Sequence, residues 1–215
     1  MSVEREMAGL LRQIAHKDVI EIGPSAALGR MAALAHVAEH YGFEYGRTHR
    51  TGHKKQLALV EMYRDPSPGA RARGAATIAA YPQAGNGGAV PGMLQGSYRP
   101  LPGAADAVAR VKDRIMFDAL SSHAADGGRK MVGYAMCVVL ALVLLVSGKP
   151  FVALAGGGAL AAFLAGAFKL GDIRRQRIAR RLTDAGFIQV RDERGRQSFL
   201  RPGQQLPGHA NPFAP

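Results

Sequence analysis

The chain contains one cysteine, Cys137, and no tryptophan. A single cysteine can form neither an intrachain disulfide nor a cluster of thiolate metal ligands, so disulfide-stabilised domains and cysteine-based zinc domains are excluded. Acidic residues are scarce as well: 16 aspartates and glutamates stand against 28 lysines and arginines, for a formal net charge of +12. A basic excess of this size indicates a negatively charged partner, such as lipid headgroups, nucleic acid or an acidic protein.

Motifs that carry catalysis are also scarce. The stretch HVAEH at 36–40 matches the H-x-x-E-H pattern of inverted zinc proteases, in which two histidines on one helix face bind zinc. Those enzymes need a third ligand from a later helix of a large domain, which we do not find, although His49 or His53 remain open as further ligands. We interpret His36 and His40 as surface residues that end a helix. The sequence predicts no enzyme, no catalytic residue, no cofactor and no metal site.

Two long uncharged runs are the strongest positive feature of the sequence. Residues 131–147 read MVGYAMCVVLALVLLVS and residues 151–168 read FVALAGGGALAAFLAGAF, with a short turn between them. A membrane-spanning helix needs about 20 apolar residues, with a lower limit of about 17. The sequence therefore predicts a transmembrane hairpin of two α-helices over 129–170. A buried hairpin inside a non-membrane protein is the alternative.

Basic residues flank the outer ends of this predicted hairpin. Lysine and arginine accumulate on the cytoplasmic side of a span, so both termini are expected in the cytoplasm. Basic clusters next to a span also attract anionic lipid. The residues assigned to topology and anionic lipid are Lys130, Arg174, Arg175, Arg177, Arg180 and Arg181. The predicted localisation is the inner membrane of a bacterium, as a multi-pass protein.

The second uncharged run carries small residues at four-residue spacing. Such spacing lets helix backbones approach closely, as in GxxxG contacts. The positions predicted to pack in this way are Ala153, Gly157, Ala161 and Ala165. Their partner is either the first run or another copy of the chain, so a homo-oligomer is one expectation.

The rest of the sequence predicts small α+β segments on both sides of the hairpin. Over residues 1–64, two helical patterns, a short strand and a β-hairpin indicate a small cytosolic α+β domain. Proline and glycine dominate residues 65–103, which predicts a flexible linker. We expect a helix next to the membrane over 104–128, a basic helix with a β-hairpin over 171–201, and a disordered tail over 202–215.

Both predicted β-hairpins have basic turns. Clustered lysines and arginines bind phosphates by charge, whatever the sequence of the nucleic acid. The candidate residues for binding nucleic acid or an acidic protein partner are Arg47, Arg50, Lys54, Lys55, Arg191, Arg194 and Arg196.

These features predict a non-enzymatic bacterial inner-membrane protein that works by scaffolding or recruitment. It would present its basic cytosolic units to nucleic acid or to a translocation, secretion or conjugation assembly. The alternative is a pore-forming, holin-like oligomer, which the small-residue run favours.

Overall fold

The computed structural model describes residues 2–52, 57–124, 150–191 and 197–204, and seven isolated helical positions between 135 and 146. These residues form five α-helices and two antiparallel sheets, an α+β fold. The helices are α1 (Val3–His16), α2 (Leu28–His40), α3 (Pro68–Ala80), α4 (Ala105–Ala124) and α5 (Pro150–Asp184). The strands are β1 (Val19–Ser25), β2 (Phe43–Thr51), β3 (Leu57–Arg64), β4 (Ile188–Arg191) and β5 (Gln197–Leu200).

A three-stranded antiparallel sheet in the order β1–β3–β2 lies at the centre of the fold. Along β3, the buried residues Ala58, Val60 and Met62 alternate with more exposed ones. Successive side chains of a strand point to opposite faces, so this alternation gives the sheet one apolar face. Helices α1, α2 and α4 pack on that face and share one hydrophobic core with it.

The innermost helix is α2, and small side chains allow its close approach to the sheet. Ala32, Ala33, Ala35 and Ala38 have no accessible surface, and neither has Val37. A helix that is apolar on every side is suited to a fully buried position. Its neighbours are the three strands of the sheet, α1, α3 and α4.

A bulge in β2 determines which side chains of this strand face the core. The register of β2 against β3 shifts between Tyr45 and Arg47, on either side of Gly46. A Cβ atom at Gly46 would lie 2.1 Å from Cε2 of Tyr63, so the tyrosine ring occupies the space that a side chain would need. Because a bulge inserts one extra residue, Tyr45 and Thr48 can both face the core although they are three positions apart.

Residues 65–103, for which the sequence predicts a flexible linker, pack on the domain. Ser67 caps α3, since its side chain accepts a backbone N–H from the first helical turn. Val90 and Met93 are buried in the main core. Glycine allows tight turns in this segment; Gly92, for example, has a φ of +71° in the left-handed region. Gly87, Gly92 and Gly96 thus form turns between packed residues, while Pro68, Gly69 and Gly74 lie within α3.

The end of the chain forms a smaller unit on α4. Ile178 and Leu182 of α5 and Phe199 of β5 form a second hydrophobic core with Phe117 of α4. The rings of Phe117 and Phe199 meet edge to face, with centroids 4.8 Å apart. The helix and β-hairpin of residues 171–201 therefore pack against the same helix that covers the central sheet.

No helix in the described part of the chain combines the length and the apolar content needed to cross a membrane. The predicted transmembrane hairpin over 129–170 is therefore wrong, and so are the membrane-protein fold class and the multi-pass inner-membrane localisation. Most of the run at 131–147 lies outside the described residues. The run at 151–168 forms the first half of α5, where 11 of 18 residues are glycine or alanine. These residues add little of the apolar surface that favours transfer out of water.

Replacing Ala35 with leucine adds three carbon atoms at a position with no accessible surface. Overpacking a core costs about 1–3 kcal/mol, so we expect a lower urea midpoint with an unchanged m value. Urea unfolding followed by circular dichroism measures this change. Ala75→Leu, at an exposed position of α3, is the control and should stay within about 0.5 kcal/mol of the original chain. An unchanged midpoint for Ala35→Leu would contradict the close packing of α2.

Candidate functional site

The second half of α5 has one buried side and one side that carries arginines. Ile178 and Leu182, four residues apart, are buried in the small core. Arg174, Arg177 and Arg180 are exposed at three-residue spacing. With 3.6 residues per turn, these three positions lie within an arc of about 120°, in which Arg180 is opposite the buried pair and Arg174, four residues before Ile178, borders it. We call Arg174, Arg177 and Arg180 the arginine face.

The two other arginines of this segment contact neighbouring elements. Arg175 lies over the ring of Phe117, 5.2 Å from its centroid, and donates a hydrogen bond to Oε1 of Gln197. Nη1 of Arg181 lies 3.3 Å from Oδ2 of Asp113 on α4. The five arginines that the sequence assigned to topology and lipid thus divide into two that hold α5 in place and three that face solvent.

Glu61 on β3 partly neutralises the basic side chains of β2. Nε of Arg47 donates a hydrogen bond of 2.7 Å to Oε2 of Glu61, and Nδ1 of His49 lies 3.4 Å from Oε1 of the same carboxylate. Burial alone would raise the pKa of Glu61, but hydrogen bonds from Arg47 and Tyr63 outweigh it and hold that pKa below its ordinary value. This ion pairing reduces the charge that Arg47 can offer to a partner.

The other predicted binding residues are distributed between the two units or lie outside the described residues. Arg50 is half-buried on β2, and Arg191 is exposed on β4. The small residues at 153, 157, 161 and 165 all lie in the first half of α5. Packing of this face against another copy stays a prediction. The candidate residues outside the described part of the chain are Lys54, Lys55, Lys130, Arg194 and Arg196.

A buried arginine on α4, Arg114, joins the two units of the protein. Only 2% of its surface is exposed. Its Nη2 donates to the carbonyl oxygen of Phe199 at 2.9 Å and to Oε1 of Gln204 at 3.1 Å. The guanidinium lies 4.3 Å from the ring centroid of Tyr45 and 5.1 Å from that of Phe187. Burial lowers the pKa of Arg114, but an arginine in a protein keeps its charge.

The side of this junction that faces the sheet is a hydrogen-bonded network. Nε2 of Gln204 donates to the carbonyl oxygen of Tyr45 at 2.5 Å. The hydroxyl of Tyr45 lies 2.5 Å from Oδ2 of Asp118 and 2.7 Å from the hydroxyl of Thr48. Complete burial, together with the charge of Asp118, raises the pKa of Tyr45 well above its ordinary value, so its phenol stays neutral. Because its groups are buried and interdependent, we interpret the network as a structural junction.

The last turn of α2 brings two histidines and a glutamate together. Nε2 of His36 lies 3.3 Å from Nε2 of His40, and the two rings meet edge to face. Oε2 of Glu39 accepts a hydrogen bond of 2.8 Å from Nη2 of Arg201, which connects α2 to the chain after β5. Burial lowers the pKa of both histidines, and the two rings stay mostly neutral at pH 7. In the described part of the chain, no group of three or more His, Cys, Asp or Glu is placed to hold a metal ion.

Sequence reasoning missed the junction around Arg114. One signal was available: Arg114 and Asp118 lie one turn apart on the side of α4 that carries Val111, at helical spacing. Gln204 falls in the predicted disordered tail, yet its amide connects Arg114 to the backbone of Tyr45. The residues after 204 lie outside the described part of the chain.

Comparisons of this chain with protein-family models, with curated proteins and with solved structures find no match.

Replacing Arg114 with methionine keeps much of the side-chain volume and removes the donors to Phe199 and Gln204. Leaving these buried acceptors without a donor costs about 1–3 kcal/mol, so we expect a lower urea midpoint and faster trypsin cleavage of the C-terminal unit. Arg110→Met, one turn earlier on α4 and exposed, is the matched control and should cost no more than about 0.5 kcal/mol. Equal stability of the two variants would show that Arg114 does not hold the units together.

The stability of the chain should fall as the pH drops from about 7.5 to about 5.5. The pKa values of His36 and His40 are lowered by folding, so the unfolded chain binds more protons once the pH passes below about 6.5. Nearby Glu39 opposes this shift, whereas three neighbouring cations reinforce it, namely Arg73, Arg110 and Arg201. Urea unfolding at three pH values measures how steeply the free energy of unfolding changes with pH. This dependence should be weaker for His40→Gln. A stability that is flat or rises towards pH 5.5 would contradict the neutral histidine pair.

Proposed function

We propose that this protein is a non-enzymatic binding module that holds a nucleic acid by its phosphate backbone, on the arginine face of α5. The observation that carries the proposal is the division of the α5 arginines. Arg174, Arg177 and Arg180 are exposed together, while Ile178 and Leu182 fix the neighbouring side of the helix to the protein. The formal net charge of +12 supports the same class of partner.

The spacing of the arginine face suits consecutive phosphates. With a rise of about 1.5 Å per residue, the backbone positions of Arg174 and Arg180 are about 9 Å apart along the helix. One strand of a duplex carries a phosphate about every 3.4 Å along its axis, so the face spans two to three phosphates. Arginine suits this contact because its planar guanidinium donates two parallel hydrogen bonds to phosphate oxygens. Within the described residues, the three side chains form no ion pair with a carboxylate of the protein.

The packing of α5 favours a nucleic acid over a lipid surface. A helix that lies on a membrane inserts its apolar side between the lipids. In the second half of α5 Ile178 and Leu182 are already buried, and Leu170, one turn before Arg174, is an exposed apolar side chain beside the arginine face. The arginine face therefore offers charge and hydrogen-bond donors, and a nucleic acid needs both of these.

Replacing Arg174, Arg177 and Arg180 with glutamine tests the proposal on the full chain. Each lost phosphate contact should reduce the slope of log K against log salt by about 0.9 on a duplex, so we expect a loss of two to three units of slope and a weaker affinity for every sequence. Fluorescence anisotropy with a labelled duplex and a labelled single strand, at three salt concentrations, measures both quantities.

The matched control removes the same charge from other exposed positions, as Arg5→Gln, Arg12→Gln and Arg71→Gln on α1 and α3. It should bind nucleic acid nearly as well as the original chain. Equal losses of affinity in the two triple variants would show that binding depends on net charge alone and not on the arginine face. Absence of salt-dependent binding by the original chain would overturn the proposal. Binding to anionic phospholipid vesicles without binding to nucleic acid would instead make lipid the partner.

A further inference from the structure

The last turn of α2 places two imidazole nitrogens at the separation of two ligands on one metal ion. His36 and His40 are four residues apart on the helix, and their Nε2 atoms are 3.3 Å apart. Zinc binds histidine nitrogen at about 2.0–2.1 Å with tetrahedral geometry, which puts two such nitrogens about 3.3–3.4 Å apart. The observed separation falls in that range.

Two polar atoms of the same turn are buried and have no hydrogen-bond partner among the described residues. They are Nδ1 of His36 and Oε1 of Glu39. An ion bound at Nε2 of His36 would leave the proton of this ring on Nδ1, which points away from Nε2, so the support from these two atoms comes from Oε1 of Glu39, a buried acceptor whose lack of a partner requires an explanation. His40 is exposed, so an ion in solution can reach the pair.

We propose that His36 and His40 together bind a divalent transition-metal ion through their Nε2 atoms. The second functional site would lie at the end of α2, and it is independent of the arginine face on α5. Imidazole ligands favour zinc, copper and nickel over magnesium and calcium. Solvent molecules complete the coordination, since no third His, Cys, Asp or Glu of the described residues joins the group.

The surroundings of His36 and His40 keep both rings in the form that binds a metal and leave space beside the ring of His36. Neutral imidazole is the form that binds metal, and burial holds the pKa of both histidines below its ordinary value. Glu39 lies between the two histidines in sequence, and its Oε2 is held by Arg201. Gly92 leaves space beside the first ring, because a Cβ atom there would lie 2.9 Å from Nε2 of His36. A larger residue at position 92 would press on the ligand atom.

Titration of the metal-free full chain with zinc chloride in a non-chelating buffer tests the proposal by calorimetry. We expect the chain to bind zinc and His40→Gln to weaken this binding by at least about tenfold. Even the mutation of a residue that only hydrogen-bonds to a metal ligand has an effect of that size. His40 is exposed, so this variant should fold. His16→Gln, an exposed histidine in the last turn of α1, is the matched control and should bind as the original chain does.

A second measurement on the unmodified chain needs no variant. Nuclear magnetic resonance of the histidine rings should show that zinc shifts the signals of His36 and His40 and leaves that of His16 in place. Identical zinc affinity in His40→Gln and the original chain, or zinc shifts confined to other histidines, would overturn the proposal. Nucleic-acid binding in metal-free buffer would be unaffected by that outcome, so the two proposals fail separately.

Discussion

The buried guanidinium of Arg114 is the interaction on which the arrangement of this molecule depends. A charge removed from water is costly unless it is paired or hydrogen-bonded, and the partners of this one come from both units. Tyr45 contributes its ring from the central sheet, while Phe199 and Gln204 contribute oxygen atoms from the end of the chain. Neither unit can leave the other without leaving the cation or its acceptors unsatisfied. The C-terminal unit therefore has one defined position on α4.

This position determines what the protein offers to a partner. Since Ile178 and Leu182 are buried against α4 and the C-terminal hairpin, the second half of α5 is a rigid support for the arginine face. A preformed surface loses less conformational entropy on binding than a flexible one. The contact between Glu39 and Arg201 connects the same C-terminal segment to α2. The arginine face and the histidine pair thus lie on elements that Arg114 and its neighbours hold together.

Local patterns in the sequence were informative about local structure and misleading about long-range contacts. The two helical patterns expected within residues 1–64 match α1 and α2, and Met7, Leu10 and Ile14 form the buried side of α1. The proline and glycine of residues 65–103 suggested a flexible linker, because composition does not reveal that Val90 and Met93 reach the core. The membrane prediction failed since it depended on the absence of charge. The Arg114 junction could not be derived, because Gln204 lies 90 positions away in the chain.

Amide hydrogen exchange in β5 tests most directly whether the C-terminal unit is held on the body of the protein. A two-stranded hairpin alone is marginally stable in water, so slow exchange in β4 and β5 requires their packing on α4. Hydrogen exchange of the full chain, measured by mass spectrometry, should give the amides of residues 197–200 nearly the same opening free energy as those of β3. Exchange of these amides at the rate of an unstructured peptide, while β3 stays protected, would contradict the account.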